Sequence, residues 1–208
     1  MNNHKNTIMS VEECSHFLRR YSFGSLITSD LQISHVPFVF RSDRVVEIHL
    51  ASNNPQLLSL NKEECLLSIL GPHAFISTQY YEAFPAVPTW NYASVSIRGI
   101  SRMLEHEELV SSLEEMLNFY QPDLLHNDKY LPSDFREQLM KGITGIKIEI
   151  EEISGKLKLG QHRSLADQLK VFESLSANSN EDKIYSRFAH QWLSHFRPSV
   201  LDKNDQKK

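Results

Sequence analysis

Between Phe23 and Leu50 the chain passes through three apolar or alternating stretches, Phe23 to Thr28, Gln32 to Phe40 and Arg44 to Leu50, with only short polar breaks between them. The stretches are rich in Val, Ile and Phe, and Ser29-Asp30 and Ser42-Asp43 supply turn chemistry at the breaks. Parallel pairing would need a crossover of a dozen residues or more, so these breaks predict a three-stranded antiparallel meander.

The later strand signals extend this pattern. Cys65 to Leu70 predicts a strand, and Gly71-Pro72 a turn into the apolar run His73 to Ser77. Pro88 fixes its own φ and pushes Val87 out of helical angles, so Trp90, Asn91 and Tyr92 are delivered in an extended arm that runs to Met103. Gly99 in that arm reads as a bulge. From Ile143, Thr144, Ile146, Ile148 and Ile150 alternate with Lys147, Glu149 and Glu151, the mark of a half-buried antiparallel strand. Ser154-Gly155 then predicts a turn into Lys156-Leu157-Lys158-Leu159. About seven strands, mainly in meanders with helices inserted and appended, predict a small antiparallel barrel flanked by helices.

Helix signals fall between and after these strands. Ser10 with Glu13 is a capping-box pattern, followed by Val11, Cys14, Leu18 and Tyr21 on one face. Pro55 opens a short helix to about Asn61. Leu109, Leu113, Met116, Leu117 and Tyr120 form a stripe that Pro122 ends, and Ser133 to Met140 is a shorter helix. Ser164 with Asp167 repeats the cap before Leu165, Leu169, Phe172 and Leu175. After the polar linker Ser176 to Asn180, Ile184, Phe188 and Trp192 recur every fourth residue in a last helix, about Glu181 to Phe196. A stripe of that kind must bury against the barrel or against a second subunit.

The 208 residues suffice for one domain, read as residues 1–175, with a C-terminal linker, helix and frayed tail over 176–208. Mean hydropathy is -0.38 and no apolar run approaches a membrane span. The first residues, MNNHKNTIMS, lack the apolar core of a signal peptide, so the expected location is cytoplasmic. Cys14 and Cys65, without CxxC spacing, read as reduced buried thiols. A net charge of -4 and a pI near 6.2 do not favour nucleic acid.

The residues exclude several chemistries and leave others open. HExxH, GxSxG, GxxxxGK[ST] and GxGxxG are all absent, and His190 and His195 lie five apart, off a shared helical face, so no metal is expected. Four segments combine polar side chains with strand ends: Ser34 to Phe38, His49 to Gln56, Gly71 to Val95, and Lys156 to Arg163. In the second, the donors before Pro55 suit a phosphate, although a plain Asn-Pro turn with capping side chains explains them as well. In the third, Trp90 is either core, the commoner fate of Trp, or one wall for a flat ligand. In the fourth, Lys156, Lys158, Gln161 and Arg163 gather at a strand-to-helix junction, as an anion site or a solvated rim.

Taken in order, FGSLIT, SHVPF, HLASNNPQ, GPHAFIS, VPTWNYASV, GIKIEI and SGKLKLGQHR resemble the FMN-binding negative transcriptional regulator (PaiB-like) family over about residues 7 to 175. The resemblance implies a six-stranded antiparallel Greek-key split barrel of the flavin-binding, pyridoxamine-phosphate-oxidase type, forming a homodimer with FMN between subunits. It implies that Ser34, His35 and Pro37 lie beside the isoalloxazine, that Ser52 and Asn54 approach the ribityl phosphate, and that Trp90 and Asn91 border the ring. Lys156, Gln161 and Arg163 would close the site and neutralise phosphate charge. The sequence departs from the family pattern at Ile48, at Gly160 and His162, in the short segment from Tyr81 to Val87, and in the tail after Ser176.

The function so implied is a dimeric FMN-binding regulator that represses transcription directly or through a partner. Direct DNA contact lacks support from charge, since Lys183, Arg187 and Arg197 near the last helix are the only basic candidate. An FMN-dependent oxidoreductase on the same pocket is the alternative, because the cofactor carries its own hydride chemistry. Heme binding through His35, His49 or His73 is a third reading.

Overall fold

The computed structural model describes residues 7–126 and 129–201. Six strands close into an antiparallel barrel in the order β1-β2-β3-β6-β5-β4. They are β1 (Phe23–Thr28), β2 (Ile33–Ser42), β3 (Val45–Ala51), β4 (Glu64–Ile76), β5 (Thr89–Met103) and β6 (Ile143–Lys158). The helices are α1 (Val11–Arg20), α2 (His106–Tyr120), α3 (Ser133–Met140), α4 (Leu165–Ser176), α5 (Asn180–Phe196) and the single turn α6 (Pro198–Leu201).

The chain forms two compact units. One comprises residues 14–69 and 95–154, and its core is set by register. Ser25 faces His35 and Ser68, Ile48 faces Phe38 and Ile146, and His49 faces Gly145. In that register Leu26, Phe38, Val46, Ile48, Leu67, Ile69, Ile97 and Ile146 are almost wholly buried. Each such side chain contributes about 1.5–3 kcal/mol. The other unit comprises residues 1–13, 70–94 and 155–208, and its core is Leu157, Val171, Phe172, Leu175, Tyr185, Phe188 and Trp192.

The meander and the capping boxes are as the sequence predicts. Ser10 N donates to Glu13 Oε2 at 2.8 Å, Glu13 N donates to Ser10 Oγ at 3.1 Å, and Asp167 N donates to Ser164 Oγ at 3.1 Å. Cys14 and Cys65 are free and buried, and burial pushes the Cys65 thiol up to about 11.

Two predicted turns are instead strand interior, so four of the stretches read from the sequence merge into two long strands. β4 runs straight through Gly71-Pro72, and β6 through Ser154-Gly155. In each the buried phase slips by one residue: Leu67, Ile69 and Gly71 against Ala74 and Ile76 in β4, and Ile146 and Ile148 against Gly155 and Leu157 in β6. In β4 the slip falls at Pro72-His73, beside the predicted turn, and in β6 at Glu151-Glu152, just before Ser154-Gly155; in both the buried face is exchanged without reversing the chain.

A Cβ at Gly99 would lie 2.2 Å from the Glu149 carbonyl oxygen, so the residue permits two backbones to approach. A register shift lies in β2, between Phe40 and Ser42.

Three predicted helix faces are rotated. Val11, Leu169 and Ile184 are exposed, whereas Glu13, Asp167, Gln168 and Ser186 are buried. The buried face of α5 is Tyr185, Phe188, Ala189, Trp192 and Leu193. An apolar stripe read from sequence omits polar residues, and these four are buried because each finds hydrogen-bond partners.

Candidate functional site

The site residues expected from the sequence divide between the two units. In the unit of residues 14–69 and 95–154, Ser34, His35 and Pro37 lie on β2 opposite β1. His35 Nδ1 is 3.0 Å from Ser25 Oγ. Asn54 Nδ2 donates to Ser34 Oγ at 3.1 Å, while Asn54 Oδ1 accepts from Gln56 N at 2.9 Å and so caps the 3-10 turn Pro55–Ser59. Thr144 Oγ1 donates to Ser52 Oγ at 3.2 Å. Gln56, which closes the candidate segment His49 to Gln56 but is not among the site residues expected from the sequence, anchors this group. It is 1% exposed, with its amide nitrogen 3.2 Å from the Leu26 carbonyl, 3.2 Å from Thr28 Oγ1 and 3.0 Å from the Gln32 carbonyl.

Ser34, Asn54 and Gln56 are thus one connected network, with Ser52 on the same β3-to-turn segment. Asn54 is committed to its cap and to Ser34. The hydroxyl hydrogens of Ser34 and Ser52 and the Nε2 of His35 are polar groups the network can offer a ligand, and Gln56 Oε1 is buried without a hydrogen-bond partner.

In the unit of residues 1–13, 70–94 and 155–208, Trp90 is not core. It is 56% exposed, with ring centroids 6.0 Å from His73 and 5.9 Å from Phe75. The neighbouring rings are inclined to it by 41° and 63°, so they buttress the indole, and Trp90 alone offers a flat face to a conjugated ligand. Asn91 is buried beneath, and a Cβ at Gly160 would lie 3.5 Å from its Nδ2. Gly160 has φ +81°, a conformation for which a glycine is suited and a serine is strained.

Gln161 is 4% exposed and turned on its own loop. Its Oε1 accepts from Leu159 N at 2.8 Å and its Nε2 donates to the Leu157 carbonyl at 2.6 Å. Lys156 is exposed on β6 and pairs across to Ile8, while Lys158 Nζ donates to Thr89 Oγ1 at 2.6 Å.

Arg163 sits over the Tyr81 ring, 4.3 Å from its centroid, with Nη1 3.9 Å from Asp167 Oδ2. Its Nε is buried without a hydrogen-bond partner. Asp167 Oδ1 accepts from Glu82 N at 2.8 Å and Ala83 N at 3.0 Å. The sequence signalled Asp167 only as part of a cap, and nothing in it pointed to Tyr81. Burial pushes the Tyr81 phenol up, partly offset by Arg163, and burial with the Arg163 and Lys158 charges pulls His162 down.

A flavin phosphate needs a flat apolar wall, short-range donors for the ring's polar edge and cations for the phosphate. The unit of residues 1–13, 70–94 and 155–208 carries Trp90, Lys156 and Arg163, and the unit of residues 14–69 and 95–154 carries the hydroxyls of Ser34 and Ser52. Taken unit by unit, the residue types present fit the chemistry of such a group.

Comparisons with known proteins agree with that chemistry. Residues 2–152 match the family described as "Putative FMN-binding domain". The chain is 34% identical over 185 residues to "Protease synthase and sporulation protein PAI 2" of Bacillus subtilis, covering 83% of this chain and 87% of that protein. Among solved structures it is similar to the flavocytochrome Anf3 from Azotobacter vinelandii, at TM-score 0.53 and 12% identity over 76% of this chain and 72% of that one. It is also similar to a conserved hypothetical protein from Mycobacterium tuberculosis, at TM-score 0.52 and 14% identity over 75% and 90%. The structural likenesses establish the split-barrel fold, and the sequence matches establish kinship. The chain belongs to this FMN-binding, PaiB-like family, with FMN as its cofactor.

Proposed function

We propose that the protein is a homodimeric FMN-dependent negative regulator of transcription, acting in the cytoplasm, with its cofactor seated between subunits. The observation that carries the reading is Trp90, held more than half exposed with His73 and Phe75 on the unit that also bears Lys156 and Arg163. An exposed aromatic surface of this kind is costly to leave in water unless a ligand or a second subunit covers it.

In this reading Ser34, His35 and Pro37 flank the ring, and Ser52 and Asn54 serve the ribityl phosphate. Trp90 and Asn91 border the ring edge, and Lys156, Gln161 and Arg163 enclose the anion. Gln161 acts by holding the loop, since its amide is spent on backbone. Residues 1–175 are the flavin-binding part, with 176–208 as its appendage. Bound FMN supplies a redox centre, and the chain's own groups position it and neutralise its phosphate.

Regulation runs through a partner protein rather than through direct DNA contact. Arg197, one of the three basic residues near α5, is committed to Glu13 and to the Ile8 carbonyl. What remains is too short a basic stripe to track a duplex.

Absorbance spectra of the purified protein before and after FMN addition, with light scattering for mass, test the reading. A bound-flavin spectrum on a dimer is expected. A colourless monomer that ignores FMN overturns it. A gel-shift at physiological salt is expected to show no binding by the protein alone, and a specific shift would overturn the partner route.

A further inference from the structure

The cleft between α4 and α5 lies outside the residues matched by the family. We propose that the cleft between α4 and α5 binds a small phosphate-bearing molecule that also carries hydroxyl or amino donors, such as a nucleoside diphosphate. The cleft has a volume of about 460 Å³, within the usual range of small-ligand sites. Its wall is Lys183, Arg187 and His190, spaced i, i+4 and i+7 along one face of α5, and its floor includes Phe172, Ser176 and Ser186.

Charge argues for an anion. Arg41, Arg98, Arg102, Arg163 and Arg197 each face a carboxylate. Lys183 and Arg187 face none among the described residues, although the chain is net acidic and Glu173 lines the same cleft. Two exposed cations one turn apart are a ready seat for phosphate oxygens. His190 is fixed on the same wall, edge-on to Phe172 with ring centroids 5.9 Å apart.

The floor specifies the rest of the ligand. Ser176 Oγ donates to the Phe172 carbonyl at 2.7 Å and Ser186 Oγ donates to the same carbonyl at 2.9 Å, with 3.0 Å between the hydroxyls. Both hydrogens are used within the protein, so each oxygen offers only lone pairs. The floor accepts hydrogen bonds while the wall attracts negative charge. A bare anion satisfies the wall alone, whereas a phosphate ester with sugar hydroxyls or an exocyclic amine satisfies both. The concave shape and the short run of cations favour a compact molecule over a nucleic-acid duplex, which needs an extended basic stripe.

The test is calorimetric titration of the FMN-saturated full-length protein with ADP, with adenosine and inorganic phosphate as separate arms, and backbone NMR shifts to locate binding. ADP is expected to saturate and to shift residues of α4 and α5. Adenosine is expected not to bind, and phosphate to bind more weakly than ADP. Lys183→Ala with Arg187→Ala is expected to weaken ADP at least about tenfold, and Glu173→Gln to tighten it. Unsaturable ADP, undiminished affinity in the double variant, or shifts away from the two helices would overturn the proposal. So would tighter binding of an acidic peptide or a DNA duplex through the same residues. Both substituted cations are solvent-exposed, and an unchanged circular dichroism spectrum establishes that the variant is folded.

Discussion

Arg197 grips Glu13 with two nitrogens. Nε is 2.9 Å from Oε1 and Nη2 is 2.9 Å from Oε2, so the residue after α5 is bound to the first turn of α1. Trp192 Nε1 adds a third bond to the same carboxylate at 3.3 Å, and Ser10 N a fourth at 2.8 Å. Glu13 is 5% exposed, and removing its cation strands a buried charge. Arg197→Ala is expected to cost about 3 kcal/mol, read as a lower urea midpoint at unchanged slope.

The same contact makes an acid-dependent prediction. Burial pushes the Glu13 carboxyl up, and the hydrogen bonds from Arg197, Ser10 and Trp192 outweigh it, so the group is held below its ordinary value of 4.5. A carboxylate depressed in the folded state binds protons more readily when unfolded. Its contribution is complete above about pH 4.5 and fades as pH falls through the folded value. The stability gap between wild type and Arg197→Ala should therefore narrow in acid, and a gap constant from pH 7 to pH 3 would show that the pair is not its source.

Gly99 has no room for a methyl group. A Cβ there meets the Glu149 carbonyl oxygen at 2.2 Å and its carbon at 2.9 Å, both backbone atoms that cannot rotate away. Gly99→Ala must prise β5 from β6 and is expected to cost about 3 kcal/mol or more. Gly142→Ala is the control, because its nearest neighbour is the Leu139 carbonyl oxygen at an ordinary 3.4 Å. Thermal melts should separate the two variants clearly.

How much of this could be read from the sequence depends on the range of each interaction. Alternation and turn chemistry gave the β1-β2-β3 meander because hairpin register is local. Ser10 with Glu13 and Ser164 with Asp167 gave the helix starts because a cap spans only three residues. Gly71-Pro72 misled because residues that make turns also accompany phase slips, and Ser154-Gly155 misled because small turn-formers also fit a strand interior. The buried faces of α1, α4 and α5 were misplaced because Glu13, Asp167 and Ser186 are polar, and their burial depends on Arg197, the Glu82 amide and the Phe172 carbonyl, partners distant or unmarked in sequence. Arg163 could be named as a cation, but its seat on Tyr81, 82 positions earlier, left no local signal.

His49 carries two buried ring nitrogens with no hydrogen-bond partner. Burial lowers its pKa, with Glu47 pulling it up and Arg41 down, and the net direction is below the ordinary 6.5. A base depressed in the folded state is protonated first in the unfolded chain, so stability is intact above about pH 6.5 and is lost as pH falls below it. His49→Leu should abolish that slope. Urea melts of both proteins at pH 7.5 and pH 5.5 check it, and an equal loss in the variant would assign the acid sensitivity elsewhere.

Arg163 should discriminate the phosphate of FMN from the rest of the molecule. Its guanidinium is fixed by the Tyr81 ring at 4.3 Å and by Asp167 Oδ2 at 3.9 Å, and its Nε remains as a buried donor. A rigidly held cation loses little side-chain entropy on meeting an anion, which favours affinity. Arg163→Met keeps much of the side-chain volume over Tyr81 and deletes the charge. FMN affinity is expected to fall about tenfold, or about 1.4 kcal/mol, while riboflavin affinity stays within about twofold. The ratio of the two constants is insensitive to a general loosening of the unit, which would weaken both ligands alike. Equal losses for FMN and riboflavin would reduce Arg163 to a scaffold for the loop at residues 81–83, and undiminished FMN binding would remove it from the site.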